Sequence, residues 1–450
     1  MRTISKVFAV IMVASLFIVA CQPATTPTAA PPPATEPPMT EPPMTEPPMT
    51  EPPAMSEIDC MGAQPGDEIS MFYQWSGQEE ERLNQILQPL VDACGIVLKP
   101  ESTRDQALLD TRVQAGTPPD IAFWNVVQLA QYQDKLKAMT DLGVNGANYA
   151  DYWKTIGTVN GRWLGLPVKA DPKTLIWYSP ANFAAFGYQV PTTWDELDAL
   201  VEKMVADGRV PWSMGLESGD ATGWTGSDFI QDILLVTQGP EYVTNIMNGT
   251  VPYNDPGVKA AYEIYGKWAK DPKYTVGGAE GTLSTGFVPA ILKVFSDPPE
   301  AMMVKQSGFA SGEITKQYPD LVYGQDYDFF GVPGAKGLQG GSDWMMAFSD
   351  KPAVKALVAY LSSNKGGEAW AQAGFDVTPN IAGTNAYTDP ALLKKGAILK
   401  NATGFTPDIG DTIPGGFGSA EWKAIVDYLN GGDLDAALQA AADVQAEALK

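Results

Sequence analysis

The chain contains no histidine. That absence removes Ser-His and Cys-His nucleophile pairs, imidazole general bases and the usual zinc and iron ligand sets, and with them most hydrolase templates. Cysteine is scarce too, with 3 residues in 450. Basic residues are few, 30 against 53 acidic ones, so the surface repels nucleic acid and anionic lipid and favours neutral or cationic small ligands. No P-loop, G-x-G-x-x-G fingerprint or EF-hand loop occurs. Ser362-Ser363-Asn364-Lys365 fits S-x-x-K, but the companion S-D-N and K-T-G motifs are absent, which leaves a pattern expected by chance. Glycosidases, which need only two carboxylates, survive this elimination.

What is present begins with an export signal. Arg2 and Lys6 precede the apolar run Val7–Ala20, the charged and hydrophobic regions of a signal peptide over residues 1–20, too short for a spanning helix. Ile18-Val19-Ala20-Cys21 resembles the lipobox of bacterial lipoproteins, which implies cleavage before Cys21 and lipidation of its thiol. Multiple acyl chains hold a protein on a bilayer at roughly 0.8 kcal/mol per buried CH₂, so the expected membrane association is through the lipid anchor only. Residues 21–56 form a tether in which Thr35–Met49 is TEPPM three times over. Paired prolines forbid a helix and favour polyproline II, with a reach on the order of 100 Å. The tether reads as a spacer, with a ligand for a proline-recognising domain as the alternative.

About 390 residues follow, suited to two lobes. Losing Arg2 and Lys6 with the signal leaves 28 basic residues against 53 acidic, a net of minus 25. A hydrophobic content of 44% with 12 Trp nevertheless marks a folded chain rather than a solvated acidic one. With Cys21 assigned to lipid, Cys60 and Cys94 remain as an even pair in an exported chain, the simplest reading being one disulfide. Short apolar strands alternate with amphipathic helices. Glu68–Tyr73 reads as a strand; Leu83, Ile86, Leu87, Leu90 and Val91 recur at helical spacing. Asp120–Trp124 restarts as a buried strand. Thr193-Trp194-Asp195-Glu196 is a capping box, followed by the stripe Leu197, Leu200, Val201, Met204 and Val205 and a stop at Gly208. The fold class is α/β, with ligands expected beyond the carboxyl ends of the strands.

Three phrases occur in one order: Pro118–Trp124; Leu166-Pro167-Val168 with Leu175–Tyr178; and Val190–Leu197. In that order they resemble family 1 extracellular solute-binding proteins, the carbohydrate-binding subunits of ABC importers. Glu217–Trp224 and Ser419-Ala420-Glu421-Trp422 look most like the alpha-glucoside-binding branch. The resemblance implies a two-lobed, periplasmic-binding-protein-like fold with a hinge and a central ligand cleft. It places the N-terminal lobe at 57–174 plus 330–376 and the C-terminal lobe at 175–329 plus 377–450. A sugar needs aromatic platforms for its C–H faces and a few convergent polar groups for its hydroxyls. The resemblance points to Gln74 and Trp75 in the first strand-to-helix loop, to Asp120 and Trp124, and to Asp171 and Tyr178 beside the first crossing. Glu217, Asp220 and Trp224 form the densest polar and aromatic cluster, in a Gly-rich loop. Asp343 and Trp344 follow Gly340-Gly341-Ser342, and Phe309, Asp411, Phe417 and Trp422 complete the set. Where maltose-binding members carry Gly-Pro-Trp, this chain reads Ser307-Gly308-Phe309, keeping an aromatic platform but losing an indole. Several have a structural alternative: a turn for Asp120, core packing for Trp124, Tyr178 and Trp422.

The function implied is non-covalent capture of a neutral sugar by a monomeric, lipid-anchored protein on the outer face of the cytoplasmic membrane or in the cell envelope. Delivery is to ABC permease subunits, without cofactor, metal or catalysis. A secreted glycosidase and a sugar receptor with no transport partner are the alternatives.

Overall fold

The computed structural model describes residues 58–103 and 105–450. The signal peptide, Cys21 and the TEPPM tether lie outside the described residues. Glu68–Tyr73 forms the strand its pattern implies, and the helix Gln78–Cys94 buries Leu83, Ile86, Leu87 and Leu90. Glu79, Glu80 and Glu81 complement the dipole at its start, and Gly95, at φ 64°, supplies the left-handed residue that ends it. The strands Val97–Ser102 and Ile121–Trp124 then flank the first strand, both parallel to it.

Leu338–Ala347 extends this sheet. It runs antiparallel to Ile121–Trp124 and to Gly165–Pro172, and takes Phe405–Thr406 in parallel at its start, giving six strands. A separate three-stranded sheet has Leu175–Tyr178 at its centre, antiparallel to Met303–Lys305 and Asp328–Gly331. The helix Trp194–Ala206 carries the expected capping box. The Thr193 hydroxyl accepts from the Glu196 N–H at 3.2 Å, and the Glu196 carboxylate accepts from the Thr193 N–H at 3.3 Å. Leu197, Leu200, Val201 and Met204 are buried on its inner face, and Gly208 lies just past its end at φ 75°.

Cys60 and Cys94 are bridged, joining the start of the described chain to the last residue of the first helix across 34 positions. Closing a loop of that size stabilises by about 4 kcal/mol, acting mainly on the unfolded chain. Replacing both cysteines by alanine is expected to lower the unfolding free energy by about that amount, read from urea titrations. An unchanged denaturation midpoint would mean that the loop is already constrained without the bridge.

Apolar side chains divide into one core under the six-stranded sheet, including Phe72, Trp153, Trp344 and Trp370, and a second built on Trp212, Phe229, Trp268 and Ile425. A smaller cluster around Trp177 and Phe329 backs the three-stranded sheet. The chain passes between the two main cores three times: from Ala170 to Ile176, from Val332 to Leu338, and from Phe405 to Ile409. The last passage differs from the expected division at 376/377, because Val377, Tyr387, Leu399 and Phe405 pack in the first core. Phe330 and Val332, expected with the first lobe, pack in the second. Among the described residues no helix is long and apolar enough to cross a membrane.

Candidate functional site

The crossings make the floor of a cleft. Asp171 stands opposite Gly341 in the register, Pro172 opposite Gly340, and Lys169 opposite Asp343. Approach is close enough that a Cβ on Gly340 would lie 2.2 Å from the Asp171 carbonyl oxygen, so this position accepts only glycine. These glycines sit in a strand rather than a turn. Two depressions meet at this pairing. One, of about 530 Å³, is lined by Arg82, Asp171, Phe309, Phe375 and Lys395, among others; a second, of about 360 Å³, by Asn125, Lys173, Gly341, Asp408 and Asp411.

Aromatic surface gathers where the second core meets the cleft. Trp224 opens the helix Trp224–Thr237, and its ring centroid lies 5.3 Å from Phe287 and 6.4 Å from Phe309. Phe309 is 40% exposed and lines the first depression. Trp422, half-buried, packs directly on Gly223, where an added Cβ would come within 2.7 Å of the Trp422 Cβ. Glu217 pairs through its backbone with Gly286, beside Phe287, and its carboxylate accepts from the Gly219 N–H at 3.2 Å. Asp220 is exposed in the short turn Gly219–Ala221.

Charge is concentrated beneath these rings. The Lys173 ammonium lies 5.9 Å from the Trp224 centroid, 3.2 Å from Asp228 and 3.1 Å from Asp408. Burial works against its charge, but the two carboxylates outweigh that and raise its pKa. Lys395 is balanced in the same way, 2.6 Å from Asp376 and 3.3 Å from Asp171. Asp411 is raised by burial and by the neighbouring Asp408. Fixed carboxylates and ammoniums beside aromatic faces can bind hydroxyls and stack on C–H surfaces.

Of the residues expected from the sequence, Asp171 and Phe309 line the first depression and Asp411 the second; Trp224 reaches Phe309, while Glu217, Asp220 and Trp422 surround the loop that leads into the Trp224 helix without lining either depression. Asp343, Gln74 and Trp75 are brought together, but bind one another. The Asp343 carboxylate accepts from Gln74 Nε2 at 2.8 Å and from Trp75 Nε1 at 3.3 Å, and pairs with Lys169 at 3.4 Å. Trp75 is itself core, 4.9 Å from Phe375 and 5.1 Å from Phe123.

Five expected residues belong to structure instead. Asp120 sits just before the amino end of its strand, away from the carboxyl-end loops, and is satisfied by the Ser70 N–H and hydroxyl, Ser349 and Lys351. Burial opposes its ionisation, yet those partners hold its pKa below the usual range. Trp124 and Trp344 are register partners inside the first core, where Trp344 packs 5.7 Å from Trp153 and donates its indole N–H to Ser342. Tyr178 packs 4.5 Å from Phe183, with its hydroxyl pushed up to about 12 by burial and then by Asp328. Phe417 is wholly buried, 5.0 Å from Tyr253. Lys173, Phe287, Arg82 and Lys395 were missed. Lys173 lies just past the end of the strand Gly165–Pro172, in the other depression from Asp171, and strand alternation does not reach it.

The model of the bacterial extracellular solute-binding proteins matches residues 79–368, well over half of the chain. This chain belongs to that family. The solute-binding protein is 34% identical over 406 residues to the alpha-glucosides-binding periplasmic protein AglE of Rhizobium meliloti, covering 84% of this chain and 87% of the relative. It is 32% identical to the osmoprotective compounds-binding protein GgtB of Synechocystis, covering 83% and 91%. Among solved structures, the solute receptor AcbH shares the fold at a TM-score of 0.73 and 19% identity, over 87% of this chain and 100% of that one. RafE from Streptococcus pneumoniae does so at 0.68 and 16%, over 86% and 100%. The solute-binding protein therefore has their two-lobed α/β fold.

Proposed function

We propose that this protein captures a neutral sugar, an alpha-glucoside, in the cleft between its lobes and delivers it unchanged to an ABC importer. The observation that carries the reading is the aromatic group Trp224, Phe287 and Phe309 set above the charged floor Asp171, Lys173 and Asp411. The likeness to an alpha-glucosides-binding protein over most of both chains supports the sugar class. We draw the lobes at the crossings, 57–174 plus 338–405 against 175–337 plus 406–450, with closure by rotation at those segments. The protein works outside the cytoplasm, held by lipid on Cys21 at the end of its tether.

The test is intrinsic tryptophan fluorescence and calorimetry of the full chain titrated with trehalose, sucrose, maltose, glucose and xylo-oligosaccharides. Saturable binding of an alpha-glucoside with Kd on the order of micromolar, about 8 kcal/mol, and no hydrolysis is the expected result. Product formation would move the assignment to a glycosidase. Because one relative is named for osmoprotective compounds, the same titration includes small polyol and betaine osmolytes, and binding of these alone would replace the sugar.

A further inference from the structure

One buried carboxylate, Asp228, meets two stretches of the crossing chain directly and the third through Lys173 and Gln339. From the first crossing, Lys173 Nζ lies 3.2 Å from Asp228 Oδ1. Just past the second, Gln339 Nε2 donates to the same oxygen at 2.7 Å, and also to Asp408 Oδ2 at 3.3 Å. The third crossing supplies Asp408, held 3.1 Å from Lys173. Further bonds tighten the junction: the Gln339 N–H donates to the Thr174 hydroxyl at 2.8 Å, and the Lys173 N–H to the Gln339 carbonyl at 2.8 Å. Asp228 is one turn along the helix that Trp224 opens in the cleft. Gln231, on that helix, donates to the Pro407 carbonyl at 2.8 Å and accepts from the Ile409 N–H at 3.0 Å. The helix thus carries a cleft aromatic at its start and grips the crossings one to two turns later.

We infer that Asp228 is the positioning residue of this cleft: it holds Lys173 beneath Trp224 and ties the crossing strands to the Trp224–Thr237 helix, coupling ligand occupancy to lobe movement. The inference rests on the cleft being the sugar site. Lobe rotation changes backbone angles at residues 170–176, 332–338 and 405–409, and the side chains of Lys173, Gln339 and Asp408 move with them. Asp228 is 1% exposed, so a change in these separations acts where solvent screening is weak. A sugar that touches Trp224 or takes a hydrogen bond from Lys173 bears on the same junction.

Charged and titratable groups face Asp228 from every side: Lys173 and Asp408 from the crossings, and Lys305 at 3.8 Å from the three-stranded sheet. Asp232 lies on its own helix, and Asp411 and Glu421 stand beyond Asp408. Burial raises the Asp228 carboxyl to about 7 against the pull of Lys173 and Lys305. Above that pH the ionised carboxylate grips both ammoniums, and below it the grip weakens. Sugar affinity is therefore expected to rise between pH 6 and pH 8.

The experiment uses the full chain, comparing wild type with Asp228→Asn and Lys173→Met. Sugar Kd is measured at pH 6 and pH 8, together with hydrogen exchange at the three crossings without ligand, corrected for intrinsic rates. In wild type the Kd is expected to fall about threefold or more from pH 6 to pH 8, with protection of the crossings rising in parallel. Asp228→Asn abolishes both responses and weakens binding by about tenfold at pH 8. Lys173→Met, which removes a cation that lowers the Asp228 pKa, shifts the exchange response to higher pH; it serves alone should Asp228→Asn not fold. Unchanged pH responses in Asp228→Asn, or an unshifted response in Lys173→Met, overturn the inference. If wild type binds no sugar, the carrier reading and the ligand coupling both fail, while the exchange data still decide whether Asp228 ties the crossings to the helix.

Discussion

Replacing Trp224 by alanine weakens sugar binding by about 2 kcal/mol, roughly 30-fold, with little loss of stability. The ring is half-buried at a helix start, shared between Phe287 and Phe309 rather than locked in either main core. Truncation removes the central member of the aromatic group and the face that Lys173 approaches at 5.9 Å. Trp224→Phe keeps part of the platform and is expected to fall between the two. Phe309→Ala, at an exposed ring, costs less, about tenfold. Calorimetric titration of each variant with the preferred alpha-glucoside decides the matter. Wild-type affinity in a folded Trp224→Ala protein would remove the aromatic group from the site and point to the first depression, around Arg82 and Asp171.

The largest stability effect is expected at Lys305→Met, a loss of about 3 to 5 kcal/mol. Lys305 is 3% exposed at its side chain and lies 3.2 Å from Asp232, which is fully buried, and 3.8 Å from Asp228. The ammonium and the Asp232 carboxylate meet at ion-pair distance without the alignment of a hydrogen bond. Removing the cation leaves two carboxylates in the core with Lys173 the nearest remaining positive charge. The cost comes from stranding those charges, not from any large net gain in forming the pair. Pairing Lys305→Met with Asp232→Leu is therefore expected to recover most of the loss, read from urea midpoints of all three proteins. A mild single variant, or a double variant no better than the single, would show that the pair is not what balances the Asp232 charge.

Local features were legible in the chain because their physics is local. The Thr193 capping box, the Leu83 to Leu90 stripe and the stop at Gly208 follow from hydroxyl reach, helical period and the freedom of glycine at positive φ. The cysteine pair could be read by counting, since setting Cys21 aside as the expected lipid site left two. Family resemblance carried the two-lobed fold and pointed to Phe309 and Asp411, which line the two depressions, and to Trp224, which packs against Phe309.

Which aromatics serve the cleft and which serve the core was decided only by tertiary structure. Trp124 and Trp344 have the same composition of neighbours as a sugar platform, yet they are register partners in a sheet covered on both faces, so no alternation marks them as inward. Asp343 looked free until the fold brought Gln74 and Trp75 to it from more than 260 positions away. Lys173, Gln339, Asp408 and Asp228 come from four separate stretches of chain and meet only at the crossings. By itself the sequence determined the local elements, the cysteine pair and the family. The cleft's charge network and the division of its aromatics depend on contacts between distant segments, which residue type and spacing along the chain do not encode.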